Sequence, residues 1–162
     1  MSLVRFTSLV LSALWIGGLV ALGAVAAPTA FAVLQSHDPV AGRTLAGELF
    51  GAILLKYQTV LWITGAVQLI LLAIRAAIGP RPRRFTWQLG IMIAMLAATS
   101  YSALVIKPKI DGIRNATPVA MATLADDNPV KREFGMLHGL SNGLMALAFA
   151  GALAMFWFDS RE

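Results

Sequence analysis

Four long stretches of the chain, residues 3–34, 60–78, 86–106 and 134–158, are almost wholly apolar, and polar residues gather between them. Crossing the hydrocarbon core of a bilayer takes about 20 apolar residues in a helix. Nothing in the chain alternates with period two, so strands are not expected. Lipid offers no partners for backbone N–H and C=O groups, and each stretch must therefore be helical. The pattern predicts an all-α membrane protein with four transmembrane helices, in a single domain over residues 1–162.

Local signals refine the ends. Pro28 is expected to bend the far end of the first helix. HDPV at 37–40 and DNPV at 127–130 each place Asp or Asn before Pro. The Asx side chain caps a helix and proline suits its first turn. The second and fourth helices should therefore begin outside the membrane and run into it. From Pro39 to Ile78 one helix would reach about 60 Å, at about 1.5 Å per residue. That exceeds a bilayer, so a bend near Gly47 or Gly51, or a protruding amphipathic turn, is expected. Residues 118–125 suit a short surface helix. Arg5 followed by an apolar run and ALGAVAAPTA resembles a secretory signal. The run over residues 6–34 exceeds the usual signal core of about 7–15 residues, so it is expected to remain as a span.

A faint repeat divides the chain into halves 1–78 and 79–162. RFT occurs at 5–7 and again at 84–86, each time opening an odd-numbered helix. A proline follows in both, Pro28 and Pro108, and then Asp38-Pro39-Val40 and Asn128-Pro129-Val130. Each half would be a helical hairpin, the two related by an axis along the membrane normal.

Composition agrees with the pattern. Of 162 residues, 58% are hydrophobic and 13% charged, against about half and about a quarter in soluble domains. Mean hydropathy is +0.74. With no cysteine, disulfides, thiolate metal sites and thiol catalysis are excluded. The net charge of +5 lies between apolar runs and not in one stripe, which argues for membrane anchors and against nucleic acid. The short segment 78–84 holds three arginines, with Arg75 just before it. Short basic loops stay in the cytoplasm. Both termini are then cytoplasmic, and the longer connections, 35–59 and 107–133, face outward. Those connections carry seven Lys and Arg but also six acidic residues.

Candidate chemistry centres on FGMLHGLSNGLMA, residues 134–146. On a helix, His138, Ser141, Asn142 and Met145 share a face. Gly135, Gly139 and Gly143 run beside them as GxxxGxxxG, which lets another helix approach closely, within one chain or between two. The His–Asn edge should then point into the bundle, since polar groups facing lipid are costly. Aligning the halves at Asp38 and Asn128 sets His138 opposite Glu48, a pairing that would favour charged imidazole and suit proton transfer or a metal. Tyr57, Tyr101 and Lys107 lie at the same level, with Lys56, Gln58, Thr99, Ser100 and Arg114. They suit an interfacial belt or a pocket rimmed by cations for an anionic group. Methionine and histidine together suit copper, through His138 and Met145, although methionine also fills core gaps. A haem between His37 and His138 is the other metal-bearing alternative. Gln68 would bridge helices or line a path, Trp15 with Gly17-Gly18 suits a packing corner, and Trp62, Trp87 and Trp157 suit interface anchors. No Walker loop, GxSxG, HExxH or paired-carboxylate segment is present.

WIGGLV at 15–20, AAPTAF at 26–31, AGRTLAGELF at 41–50, YSALVIKPKI at 101–110 and FGMLHGLSN at 134–142 together resemble the transmembrane-protein-205-like family, whose bacterial members carry a domain of unknown function. The resemblance implies a four-helix membrane protein with outward His, Tyr and Lys positions. The animal relative's association with platinum-drug resistance and secretory membranes implies metal handling or export. The Trp-x-Gly-Gly element is also similar to copper-resistance membrane proteins, whose richer His and Met pattern this chain lacks. The expected function is binding, or helping transport, of a small solute or metal ion through an outward-facing polar pocket in a bacterial inner membrane. Two alternatives stand beside it. One is an accessory subunit or assembly factor that docks a partner, or a second copy, through the glycine face. The other is a membrane enzyme using His138 and Glu48 on a lipid.

Overall fold

The structure is a computed structural model that describes residues 3–78, 82 and 84–161. Four helical rods make up the chain: α1 (Leu3–His37), α2 (Ala41–Ile78), α3 (Phe85–Ala116) and α4 (Pro129–Arg161). All four are long and apolar enough to cross a membrane, and no strand occurs among the described residues. Adjacent rods pack in a ring, α1 on α2, α2 on α3, α3 on α4 and α4 on α1, while the diagonal pairs make little contact.

The two caps sit where HDPV and DNPV predict. Asp38 Oδ1 accepts from the backbone N–H of Val40 and of Ala41, both at 2.8 Å, and α2 starts there. Asn128 Oδ1 accepts from Val130 N–H at 2.9 Å, opening α4 with Pro129 at its first position. Prolines 28 and 108 act through a shared device. Each follows a π-helical segment, Ala21–Ala26 in α1 and Ser102–Ile106 in α3. Proline has no N–H for the i−4 carbonyl and its ring crowds that carbonyl. The helix widens by one residue just before it: Ala27 N–H reaches Leu22 O, and Lys107 N–H reaches Ser102 O.

Three expectations are corrected. First, α2 runs unbroken through Gly47 and Gly51 as one 38-residue helix. These glycines serve proximity: a Cβ at Gly47 would lie 3.4 Å from Arg114 Nη2, and one at Gly51 4.0 Å from Lys107 Cε. Second, α3 does not stop at Ile106. Residues Lys107–Ala116 continue it, so the connection to α4 shrinks to residues 117–128. Third, that connection holds only a single 3₁₀ turn, Met121–Thr123, in place of a surface helix. Lys131 fastens it, donating to Leu124 O at 2.8 Å and to Asp126 at 2.7 Å. The hydrogen bond and charge of Lys131 lower the Asp126 pKa. The Asp126 half of this tether is therefore present at neutral pH and is lost as pH falls through that lowered value, while the bond to Leu124 does not depend on it.

The bundle is apolar outside and partly polar inside. Leu14, Ile63, Ile70, Ile93 and Leu147 are exposed, whereas Ser8, Ser12, Gln58, Gln68, Gln88 and Asp159 are buried. That inversion fits a lipid surround, where the outer surface need not be wetted. All four rods contribute to the core: Trp15 and Leu19, Leu61, Met92 and Met95, then Ala148, Ala152 and Met155. Trp15 is the predicted packing corner, fully buried, with Nε1 donating to Thr64 Oγ1 at 2.8 Å. Gln68 bridges α2 to α1 through Ser12 Oγ (2.8 Å) and Ser8 O (3.2 Å). Trp87 and Trp157 stand exposed near rod ends.

Candidate functional site

A bilayer core needs about 20 helical residues, and each rod has 32 to 38. The excess builds a vestibule at one end. There Ala27–His37 of α1 lies along α2, and Lys107–Ala116 of α3 lies along α4. The two hairpins make few close backbone approaches to each other at this end. Between them opens a cavity of about 810 Å³. Ligand pockets run to about 300–1,000 Å³.

The cavity gathers much of what the sequence singled out. Glu48, Lys107, His138, Ser141, Asn142 and Met145 all line it, and so do Arg43, Gln58, Asp111 and Arg114. Ser102 and Ser141 share a hydrogen bond of 2.9 Å across α3 and α4. Lys107 is paired with Asp111 at 2.6 Å, one turn along the same helix. His138 stacks parallel to Phe134, ring centroids 6.4 Å apart, and Arg114 lies over the same Phe134 ring at 5.9 Å. The imidazole is exposed and not buried among helices. It forms part of the wall of an open cavity.

Other candidates lie elsewhere. Tyr57 does not line the cavity. It packs onto Gly18 and donates to the carbonyls of Leu14 (3.0 Å) and Trp15 (3.3 Å), tying α2 to α1. Tyr101 is 46% exposed and also stays outside the cavity. Glu48 and His138 share the cavity without an ion pair or hydrogen bond between them. The glycine ridge does not meet another helix of this chain: a Cβ at Gly135, Gly139 or Gly143 would find open space. His37 is exposed, its Nδ1 2.9 Å from Val33 O, and does not face His138 across the cavity. Among the described residues no three His, Asp or Glu side chains gather as a metal cluster would.

Gln58, which the sequence places only at the level of the belt or pocket, lies at the floor of the cavity. It is 3% exposed, and its Oε1 has no hydrogen-bond partner among the described residues. It lines both the large cavity and a small void of about 10 Å³ beneath it, with Leu61, Thr99 and Ala98. The small void is walled in part by the core residues Leu19, Leu61 and Ala148.

A second polar assembly was missed from the sequence. At the opposite end Asp159 is fully buried. Its Oδ1 accepts from Arg75 Nη1 (2.6 Å) and Gln88 Nε2 (3.3 Å). Arg5 Nε and Nη2 donate to the carbonyls of Asp159 (2.6 Å) and Ser160 (2.8 Å), the last turn of α4. One knot thus joins all four rods. Arg84 over Phe158 and Arg161 over Trp157 add two more cations to this end. Of the basic segment between α2 and α3, residues 79–81 and 83 lie outside the described residues.

No curated protein and no solved structure matches the chain. A family described as a domain of unknown function, DUF4149, matches residues 10–118. The match spans α1, α2 and α3 and stops short of His138, Ser141 and Asn142. Nothing in it carries the transmembrane-protein-205-like name. Covering more than half of the chain, it establishes that this four-rod membrane protein belongs to the DUF4149 family.

Proposed function

We propose that this protein binds a small solute in the vestibule between its two hairpins, as a holding or transport-related protein of a bacterial inner membrane. The observation that carries the reading is the convergence of Glu48, Lys107, His138, Ser141 and Asn142 from three rods on one open cavity. Gln58 supports it, because a buried amide oxygen without a partner is costly and a ligand donor would satisfy it. Arginines 5, 75, 84 and 161 collect at the opposite end, and the short segment after Ile78 is basic, which supports an inward-facing side there. The cavity then opens outward and both termini are cytoplasmic.

Binding is favoured over catalysis. The titratable pair in contact within the cavity is Lys107–Asp111, an i,i+4 ion pair along one helix, and among the described residues no carboxylate is hydrogen-bonded to His138 to act with it as acid and base. An organic solute is favoured over a metal held by protein side chains alone, since His138 and Met145 stand without a carboxylate cluster. One observation favours a second reading, docking of a partner helix: the open space beside Gly135, Gly139 and Gly143.

Native mass spectrometry of the purified full chain tests the first reading. A solute of fixed mass should accompany the wild type and be absent from a Ser141→Trp variant that fills the cavity. Equal adducts in both, or none in either, would overturn it.

A further inference from the structure

The vestibule is graded along its length. On α2 its lining runs from Arg43, through Phe50 and Leu54, to Gln58. That descent is about 22 Å at about 1.5 Å per residue. On α3 it runs from Arg114 down to Ser102, and on α4 from Phe134 down to Met145. Guanidinium groups stand at the mouth, Glu48, His138 and the Lys107–Asp111 pair lie below them, and Phe50, Leu54, Gln58, Ser102 and Met145 line the depth.

Arg43 and Arg114 have no carboxylate within ion-pair reach among the described residues, whereas Lys107 is already paired with Asp111. Two guanidiniums without counter-charges at the mouth of a partly apolar cleft call for an anion, and phosphate or carboxylate matches their fork geometry. The apolar depth calls for a hydrocarbon tail. Resting on the binding function proposed above, we propose that the vestibule takes an anionic amphiphile, its phosphate or carboxylate head held by Arg43 and Arg114. Its tail descends past Phe50 and Leu54 to Met145, stopping short of the Gln58 amide.

The test uses the full chain in a neutral detergent with three probes. Oleoyl lysophosphatidic acid supplies both head and tail, oleoyl lysophosphatidylcholine keeps the tail with a zwitterionic head, and glycerol 3-phosphate supplies the head alone. Lysophosphatidic acid should bind tightest. The double variant Arg43→Gln/Arg114→Gln should weaken it by roughly tenfold or more, and Arg43→Lys/Arg114→Lys should restore only part of the loss, since lysine keeps the charge without the fork. Unfolding midpoints of the variants, compared with wild type, separate lost binding from lost fold. Equal binding of the two lysolipids, or an unchanged affinity in the Gln double variant, would overturn the head assignment. Glycerol 3-phosphate binding as tightly as the lysolipid would overturn the tail assignment and leave a phosphate site. In these cases Ser141→Trp still abolishes binding, and the vestibule stands as a binding site. Probe binding that ignores Ser141→Trp, or no binding of any probe to wild type, overturns the inference; whether the vestibule binds at all is then decided by the copurified solute.

Discussion

Asp159 is one carboxylate with three neighbouring rods turned toward it. Burying a charge in a low-dielectric interior is expensive, and its pairing with Arg75 and Gln88 offsets that cost. Removing one partner of such a pair typically costs about 3–5 kcal/mol, because the other charge stays buried. Asp159→Ala should therefore lower the unfolding midpoint in detergent sharply. The double variant Asp159→Leu/Arg75→Met should recover much of the loss. If both variants unfold like wild type, the knot does not hold the rods. The sequence hid this residue for a physical reason. A carboxylate just past an apolar run resembles any solvated helix end, and its burial depends on arginines contributed by two other rods. His138, Ser141 and Asn142 were legible because a helix of known phase sets them on one face. Tyr57 misled: at the same level as the pocket, its hydroxyl turns to α1 backbone carbonyls across Gly18.

Among the elements, glycine has opposite meanings at different positions. A Cβ at Gly42 would run into the Leu34 carbonyl, a backbone atom that cannot swing aside. Gly42→Ala should strain the α1–α2 turn and destabilise the protein by about 1–3 kcal/mol, the usual range for overpacking. Alanine at Gly135, Gly139 or Gly143 meets open space and improves helix propensity by up to about 1 kcal/mol. Those variants should keep or raise the unfolding midpoint of the monomer. A drop at the ridge coupled to loss of a dimer in cross-linking would instead mark it as a contact between chains. The helix starts were legible because Asp38 and Asn128 act on their own neighbours. The end of α3 was not. Hydropathy marks where lipid ends, and a charged helix such as Lys107–Ala116 continues past that point into water.

At the level of the whole molecule, number of spans and helical class followed from hydropathy alone, since backbone in lipid has almost no other choice. The vestibule did not. It arises because four rods overshoot the bilayer at one end while their hairpins stand apart, and because the Asp159 knot fastens the other end. The proposed function needs this vestibule to be open to water on the outer face, with Asn142 in its wall. The chain has no cysteine, so single cysteines can report directly. Asn142→Cys and Ser160→Cys variants would be treated in intact cells with a membrane-impermeant maleimide. Labelling of Asn142→Cys in intact cells, with Ser160→Cys labelled only after lysis, is the result predicted. Labelling of Ser160→Cys in intact cells while Asn142→Cys stays unreactive would mean that the vestibule faces the cytoplasm and would overturn the proposed function.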